Sequence, residues 1–131
     1  MHPDDIFDHV NKNTDLYIGV PDSLLKTFIN NIDKSDKKHI ICTNEAHCIG
    51  IAVGAIMAGK KPCVYLQNSG LGNIINPITS LCMPAKIEPL LVIGHRHTLP
   101  QHKIMGETDE QILRIIGYNN YILAYGHNNV K

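Results

Sequence analysis

The chain has no tryptophan, and aromatic residues make up only 5% of its 131 positions. So few rings leave little from which to build a base-stacking platform for nucleic acid. An excess of either charge is also missing. Twelve basic residues balance 12 acidic ones, so the formal net charge is zero, which excludes a broad electrostatic footprint for nucleic acid or anionic lipid. No apolar run approaches the roughly 20 residues of a membrane span. The opening Met1-His2-Pro3-Asp4-Asp5 is acidic and polar, the reverse of a secretory leader. The four cysteines, Cys42, Cys48, Cys63 and Cys82, form no Cys-x-x-Cys pair. They read as reduced, buried thiols of a cytoplasmic protein. Nucleotide motifs are missing too. Gly59-Lys60-Lys61-Pro62 is a helix stop rather than a phosphate loop, and Gly70-Leu71-Gly72 lacks the third glycine and the distal acid of a dinucleotide fingerprint. Neither Ser23 nor Ser69 stands in a G-x-S-x-G elbow.

What is present is a globular composition, 44% hydrophobic and 18% charged. The length predicts one domain over residues 1–131, large enough to bury roughly two-thirds of its unfolded surface. Short apolar runs alternate with amphipathic stretches, which predicts an α/β protein with a mainly parallel sheet. Strands are expected at 16–19, 39–42, 63–66, 90–94 and 121–124. Helices are expected at 4–11, from a cap at Asp22 or Ser23 to about Asn31, from Glu45 to near Gly59, through Leu71, Ile74, Ile78 and Cys82, and over 109–117. Residues 33–38 and 95–106 read as connections, and 127–131 as a polar end. Pro77 should kink or delay the fourth helix. The third helix carries Gly50 and Gly54, each costing about 1 kcal/mol against alanine in a helix. Their presence predicts something packed very close to that backbone.

In a parallel α/β sheet, ligands gather at the carboxyl ends of the strands. Four such ends are polar or glycine-rich here: Gly19 to Ser23, Thr43-Asn44-Glu45, Gln67 to Asn73, and Gly94-His95-Arg96. Glu45 stands at a strand-to-helix junction, near the positive end of a helix. Two readings of it are equally open. It is a first-turn residue satisfying helix amides, or it is a half-buried carboxylate able to exchange a proton with a ligand nitrogen. His95, His97 and His102 could be imagined as a metal cluster, but no cysteine or carboxylate lies at ligand spacing beside them, so no metal ligand is assigned.

The run from Asn44-Glu45-Ala46 through Gln67-Asn68-Ser69-Gly70-Leu71-Gly72-Asn73 to Asn76-Pro77-Ile78-Thr79-Ser80-Leu81 resembles the amino-terminal half of phosphonopyruvate decarboxylase. It is also similar to the alpha subunit of sulfopyruvate decarboxylase. Gly19-Val20-Pro21-Asp22-Ser23 matches the family's first-strand loop, and Leu91 to Arg96 its Ile-Gly-Trp-Arg segment, with His95 in place of the tryptophan. Asn76-Pro77 and Pro100-Gln101-His102 lean toward the phosphonopyruvate branch.

The resemblance implies the pyrimidine-binding domain of a thiamine-diphosphate enzyme, a three-layer α/β/α fold short of its last helix and strand. Glu45 would hydrogen-bond N1′ of the aminopyrimidine and favour its imino tautomer. Gln67, Asn68 and Ser69 would face the thiazolium and substrate, with Gly70, Leu71 and Asn73 completing the cofactor contacts. Asp22, Ser23, Arg96 and His102 would meet the substrate, a small 2-oxo acid such as 3-phosphonopyruvate, which would lose CO2 to give phosphonoacetaldehyde. The family's Gly-Asp-Gly motif for the diphosphate and Mg²⁺ does not occur in this sequence. A diphosphate-binding domain or subunit is therefore the expected partner, in a homo- or hetero-oligomer, and the chain alone is expected to be inactive. The alternatives are the alpha subunit of a two-chain sulfopyruvate decarboxylase and a non-catalytic binding remnant.

Overall fold

A computed structural model describes residues 1–126; the polar end expected at 127–131 lies outside the described residues. Five strands, β1 Leu16–Gly19, β2 Lys38–Ile41, β3 Pro62–Gln67, β4 Leu90–His95 and β5 Tyr121–Tyr125, pair in parallel in the order β2-β1-β3-β4-β5. The central strands β3 and β4 are buried on both faces, as a parallel sheet covered by helices requires. Successive side chains divide between two cores with the period of a strand. Val64, Leu66, Leu91 and Ile93 pack on one side with residues of α3 Glu45–Met57, α4 Leu71–Pro77 and α6 Pro100–Ile116. Cys63, Tyr65 and Val92 pack on the other with α1 Pro3–Val10 and α2 Lys26–Lys34. The result is the expected three-layer α/β/α arrangement.

The strand order places the topological switch between β1 and β3. Chain leaving β1 returns on one side of the sheet and chain leaving β3 on the other, so a crevice opens between their carboxyl ends. Gly19 ends β1 in register with Tyr65, and a Cβ at position 19 would lie 2.4 Å from the Tyr65 ring. Glycine is required there by the ring that lies against it.

Several elements differ from expectation. Asp22 and Ser23 do not cap α2 by side chain. A 3-10 turn, Ser23–Leu25, leads into the helix, and the Asp22 side chain turns to Arg96 instead. A charge-assisted bond to guanidinium outweighs a cap. The helix then runs on to Lys34, into the stretch read as a connection. Asn44 does cap α3, its Oδ1 accepting from Ala46 N at 2.8 Å. That helix closes at Gly59 (φ +83°), with Lys60 N donating to Ala55 O. Gly50 and Gly54 are a correction: a Cβ on either would meet nothing within 4 Å, so no part of the described chain packs on them. Pro77 does not delay its helix, which begins at Leu71, but the departure from regular α geometry follows directly after it. The backbone widens into a π turn, Ile78–Cys82, before a short α5, Met83–Ala85, and Thr79 Oγ1 donates to Ile75 O at 2.7 Å.

The largest difference is α6. Residues 95–106 were expected to be a loop, but the helix begins at Pro100. Proline at N1 is a helix-start signal, and Gly106 is no breaker. A Cβ there would lie 2.2 Å from His97 Cβ and 2.6 Å from Arg96 O, so glycine is what lets α6 pass beneath the 96–97 segment. All four cysteines are free and buried. Burial pushes the Cys48 and Cys63 thiols well above their ordinary range. Among the described residues no helix is long and apolar enough to cross a membrane.

Candidate functional site

The four strand ends singled out in the sequence lie along one edge of the sheet, because every strand runs the same way. Glu45 opens α3, and its side chain does not serve its own helix amides. Oε2 accepts from Asn73 Nδ2 at 2.8 Å, and the carboxyl lies against Gly70, where a Cβ would stand 2.6 Å from Oε1. The bare backbone of Gly70 and the amide of Asn73 thus form a cradle for the carboxylate, with the first turn of α3 supplying a favourable dipole. The Glu45 carboxyl is half-buried and held against the turn after β3.

On the other side of the crevice Asp22 and Ser23 meet Arg96, as residues 74 and 73 positions apart in sequence. Arg96 Nε donates to Asp22 Oδ1 at 3.0 Å, Nη2 lies 2.9 Å from the same oxygen, and Nη2 also donates to Ser23 Oγ. The Asp22 side chain is only 4% exposed, and its Oδ2 has no hydrogen-bond partner among the described residues. Gly94 keeps the space beside Oδ2 clear, since a Cβ there would lie 2.7 Å from it. Asp22 and Ser23 also line a cavity of about 280 Å³ together with Lys26.

Gln67 and His102 come together, Gln67 Nε2 donating to His102 Nδ1 at 3.1 Å, and Ser69 is exposed on the turn between them and Glu45. Two expected contacts are corrected in part. Asn68 does not face open space: it is fully buried, its Nδ2 donating to Arg96 O at 2.9 Å and to Asp109 Oδ2 at 3.0 Å. The Leu71 side chain is a core residue among Ile74, Val64 and Leu66, which leaves only its backbone at the turn.

Asp109 was missed. It is 1% exposed, accepts from Asn68 and lies 2.5 Å from His95 Nδ1, with Glu110 N donating to its other oxygen at 2.7 Å. A signal was there. Met105, Asp109, Leu113 and Ile116 recur at helical spacing, so the acid stands on the stripe that faces the core. The rings of His95 and His97 lie 5.2 Å apart, while His102 turns elsewhere. His95 is joined to Asp109 and His102 to Gln67, and no group of three or more His, Cys, Asp or Glu among the described residues could hold a metal ion. At the end of β5, Tyr125 donates to Glu110 Oε1 at 3.0 Å. Burial first, and that bond and charge second, push its hydroxyl up to about 12.

The fold thus brings a carboxylate cradled by the turn after β3 and a guanidinium held by Asp22 and Ser23 to one edge of the sheet, where ligands of parallel α/β sheets gather. No family model matches the chain. Curated relatives do. It is 38% identical to the sulfopyruvate decarboxylase subunit alpha of Methanococcus maripaludis over 113 residues, 82% of this chain and 67% of that protein. Identity is likewise 38% to the subunit alpha of Methanocaldococcus jannaschii, over 83% of this chain and 68% of that one. The phosphonopyruvate decarboxylase of Streptomyces viridochromogenes is 37% identical over 72% of this chain but only 25% of its own length. The chain belongs to the sulfopyruvate and phosphonopyruvate decarboxylase family.

Proposed function

We propose that the chain supplies the pyrimidine-binding half of a thiamine-diphosphate-dependent site that decarboxylates a small 2-oxo acid bearing a terminal oxyanion. The observation that carries this reading is the seat of Glu45. A carboxyl group held by Asn73 against bare backbone at Gly70 is placed to meet a ring nitrogen, and neither neighbour competes for its proton. The residues fit the aminopyrimidine end of the cofactor: a carboxyl group seated by Asn73 against the bare backbone of Gly70, and an exposed Ser69 on the same turn. The cofactor, when bound, supplies an electron sink for the carbon that loses CO2. In the overall reaction the bond between the carbonyl carbon and the carboxylate breaks. Its electron pair stays on the carbonyl carbon, a proton replaces CO2 there, and an aldehyde results.

The chain's own residues then divide the work. Glu45 would hold N1′ of the aminopyrimidine and could exchange a proton with it. Gln67 and His102 form a polar wall on the crevice. Arg96, with Nε and Nη2 engaged by Asp22 and Ser23, offers Nη1 to the terminal oxyanion of the substrate. Asp22 orients the guanidinium while offsetting its charge, so recognition there is directional rather than a broad attraction. Diphosphate and Mg²⁺ are assigned to a partner domain or subunit. The relatives matched over two-thirds of their length are named alpha subunits, which supports a two-chain enzyme acting on sulfopyruvate. The Asn76-Pro77 and Pro100-Gln101-His102 segments support phosphonopyruvate.

The test is CO2 release from each acid with thiamine diphosphate and Mg²⁺, by the chain alone and after assembly with a diphosphate-binding domain supplied in trans. The chain alone should be silent and the assembly active. Glu45→Gln in the assembly should lower turnover by about 10²–10⁴-fold, the usual worth of a positioned acid or base. Activity undiminished in that variant defeats the role given to Glu45.

A further inference from the structure

We propose that Asp109, on α6, is a positioning residue for the oxyanion end of the site, acting through Asn68 on the backbone of Arg96. The proposal rests on the decarboxylase reading above for what Arg96 meets, but its geometry is this chain's own. Asn68 Nδ2 bridges two acceptors, Asp109 Oδ2 at 3.0 Å and Arg96 O at 2.9 Å. With both amide hydrogens directed there, the orientation of the Asn68 amide is fixed, since its oxygen cannot replace the nitrogen opposite two acceptors. Its Oδ1 is buried with no partner among the described residues, so Asn68 is oriented by these two contacts and not by its oxygen. His95 Nδ1 lies 2.5 Å from the same Asp109 oxygen, which ties down β4 immediately before Arg96.

The other side of the 96–97 segment is held by α6 itself, because Gly106 brings helix backbone beneath Arg96 O and His97. Arg96 is therefore clamped at its carbonyl by Asn68 and from below by α6, and its guanidinium is delivered to Asp22 and Ser23. Asp109 joins the buried amide, the β4 imidazole and the helix. An asparagine at 109 cannot imitate it. Placed with its oxygen toward Asn68 and His95, it turns its NH2 on the Glu110 amide. Flipped, it turns the NH2 on the Asn68 amide, itself a donor.

The experiment compares wild type, D109N and L113A, the last a core change on the same helix that lowers stability without touching the relay. Hydrogen exchange of the Arg96 Nε–H and the tautomer of His95 are read by ¹⁵N NMR on the chain. The KM for each 2-oxo acid is read on the assembled enzyme. D109N should speed Arg96 Nε–H exchange tenfold or more, change the His95 tautomer balance from that of wild type, and raise KM about tenfold with kcat within threefold. L113A should leave all of these unmoved. If D109N fails to fold, Asn68→Ser, which cuts the link at its other end, must give the same exchange change. Exchange in D109N, or in Asn68→Ser, no faster than in L113A overturns the proposal. An assembly that decarboxylates neither acid defeats the decarboxylase reading alone, and the exchange measurement still judges Asp109.

Discussion

Glu45 owes its place to Gly70 and Asn73 more than to the helix it begins. That makes Gly70 as consequential as the acid. A methyl group at position 70 would stand 2.6 Å from Oε1, so Gly70→Ala must displace the carboxylate or the turn. The expected result is a loss of about 1–3 kcal/mol in urea unfolding, the usual cost of overpacking, together with a large fall in turnover of the assembled enzyme. Asn73→Ala should spare the fold and lower activity less. At this scale the sequence was informative where a residue type is unusual for its position. Glu45 was visible because the sequence set it at a strand-to-helix junction. Asp109 was not, because the helix was expected to begin there, and an acid in a first turn ordinarily serves the helix end. Asn68 was read as a ligand contact from its place in an amide-rich turn. Nothing in a lone sequence says which way such a side chain points.

Helices α3 and α6 each contain interior glycines, and the structure gives them opposite meanings. Gly54 faces open space, so Gly54→Ala should stabilise the isolated chain by about 1 kcal/mol, the helix propensity difference. Gly106 lies under His97 and Arg96, so Gly106→Ala should destabilise it by about 1–3 kcal/mol through overpacking. Thermal unfolding of the two variants checks both signs at once. The composition of a helix reveals the glycine but not what stands opposite. For the same reason α6 was expected to begin only at residue 109: Gly106 was taken to end a loop, although Pro100 marks the true start. Strands were legible to within a residue, since buried parallel strands are short apolar runs with sharp polar ends. The π turn after Pro77 was not legible. It depends on which carbonyls find Thr79 and the backbone beyond it, a local choice that periodicity does not encode.

Across the molecule, the layers followed from alternation of strand and helix, but the order β2-β1-β3-β4-β5 could not be read from it, and that order places the crevice. Titration offers a measurement of the fold as a whole. Tyr125 ionises near 10.0 when unfolded and only at about 12 in the fold. Between those values the folded chain holds the extra proton, so stability that is complete below pH 10 is lost as pH rises toward 12. Burial displaces Tyr17, Tyr65 and Tyr118 upward as well, which steepens the same alkaline decline. Urea midpoints measured from pH 8 to 12 should be flat at first and then fall. Tyr125→Phe should soften the onset of that fall. The buried cysteines lead to a companion expectation: a thiol reagent should leave the native chain largely unlabelled and modify four sites once it is unfolded.

The ring of Tyr65 lying against Gly19 also constrains the routes by which lineages can diverge. A descendant cannot enlarge position 19 while the tyrosine stands, so the smaller replacement at 65 must be inherited first. Homologous sequences should therefore show a bulkier residue at 19 only beside a diminished one at 65, and ancestors reconstructed along such branches should pass through the two changes in that order.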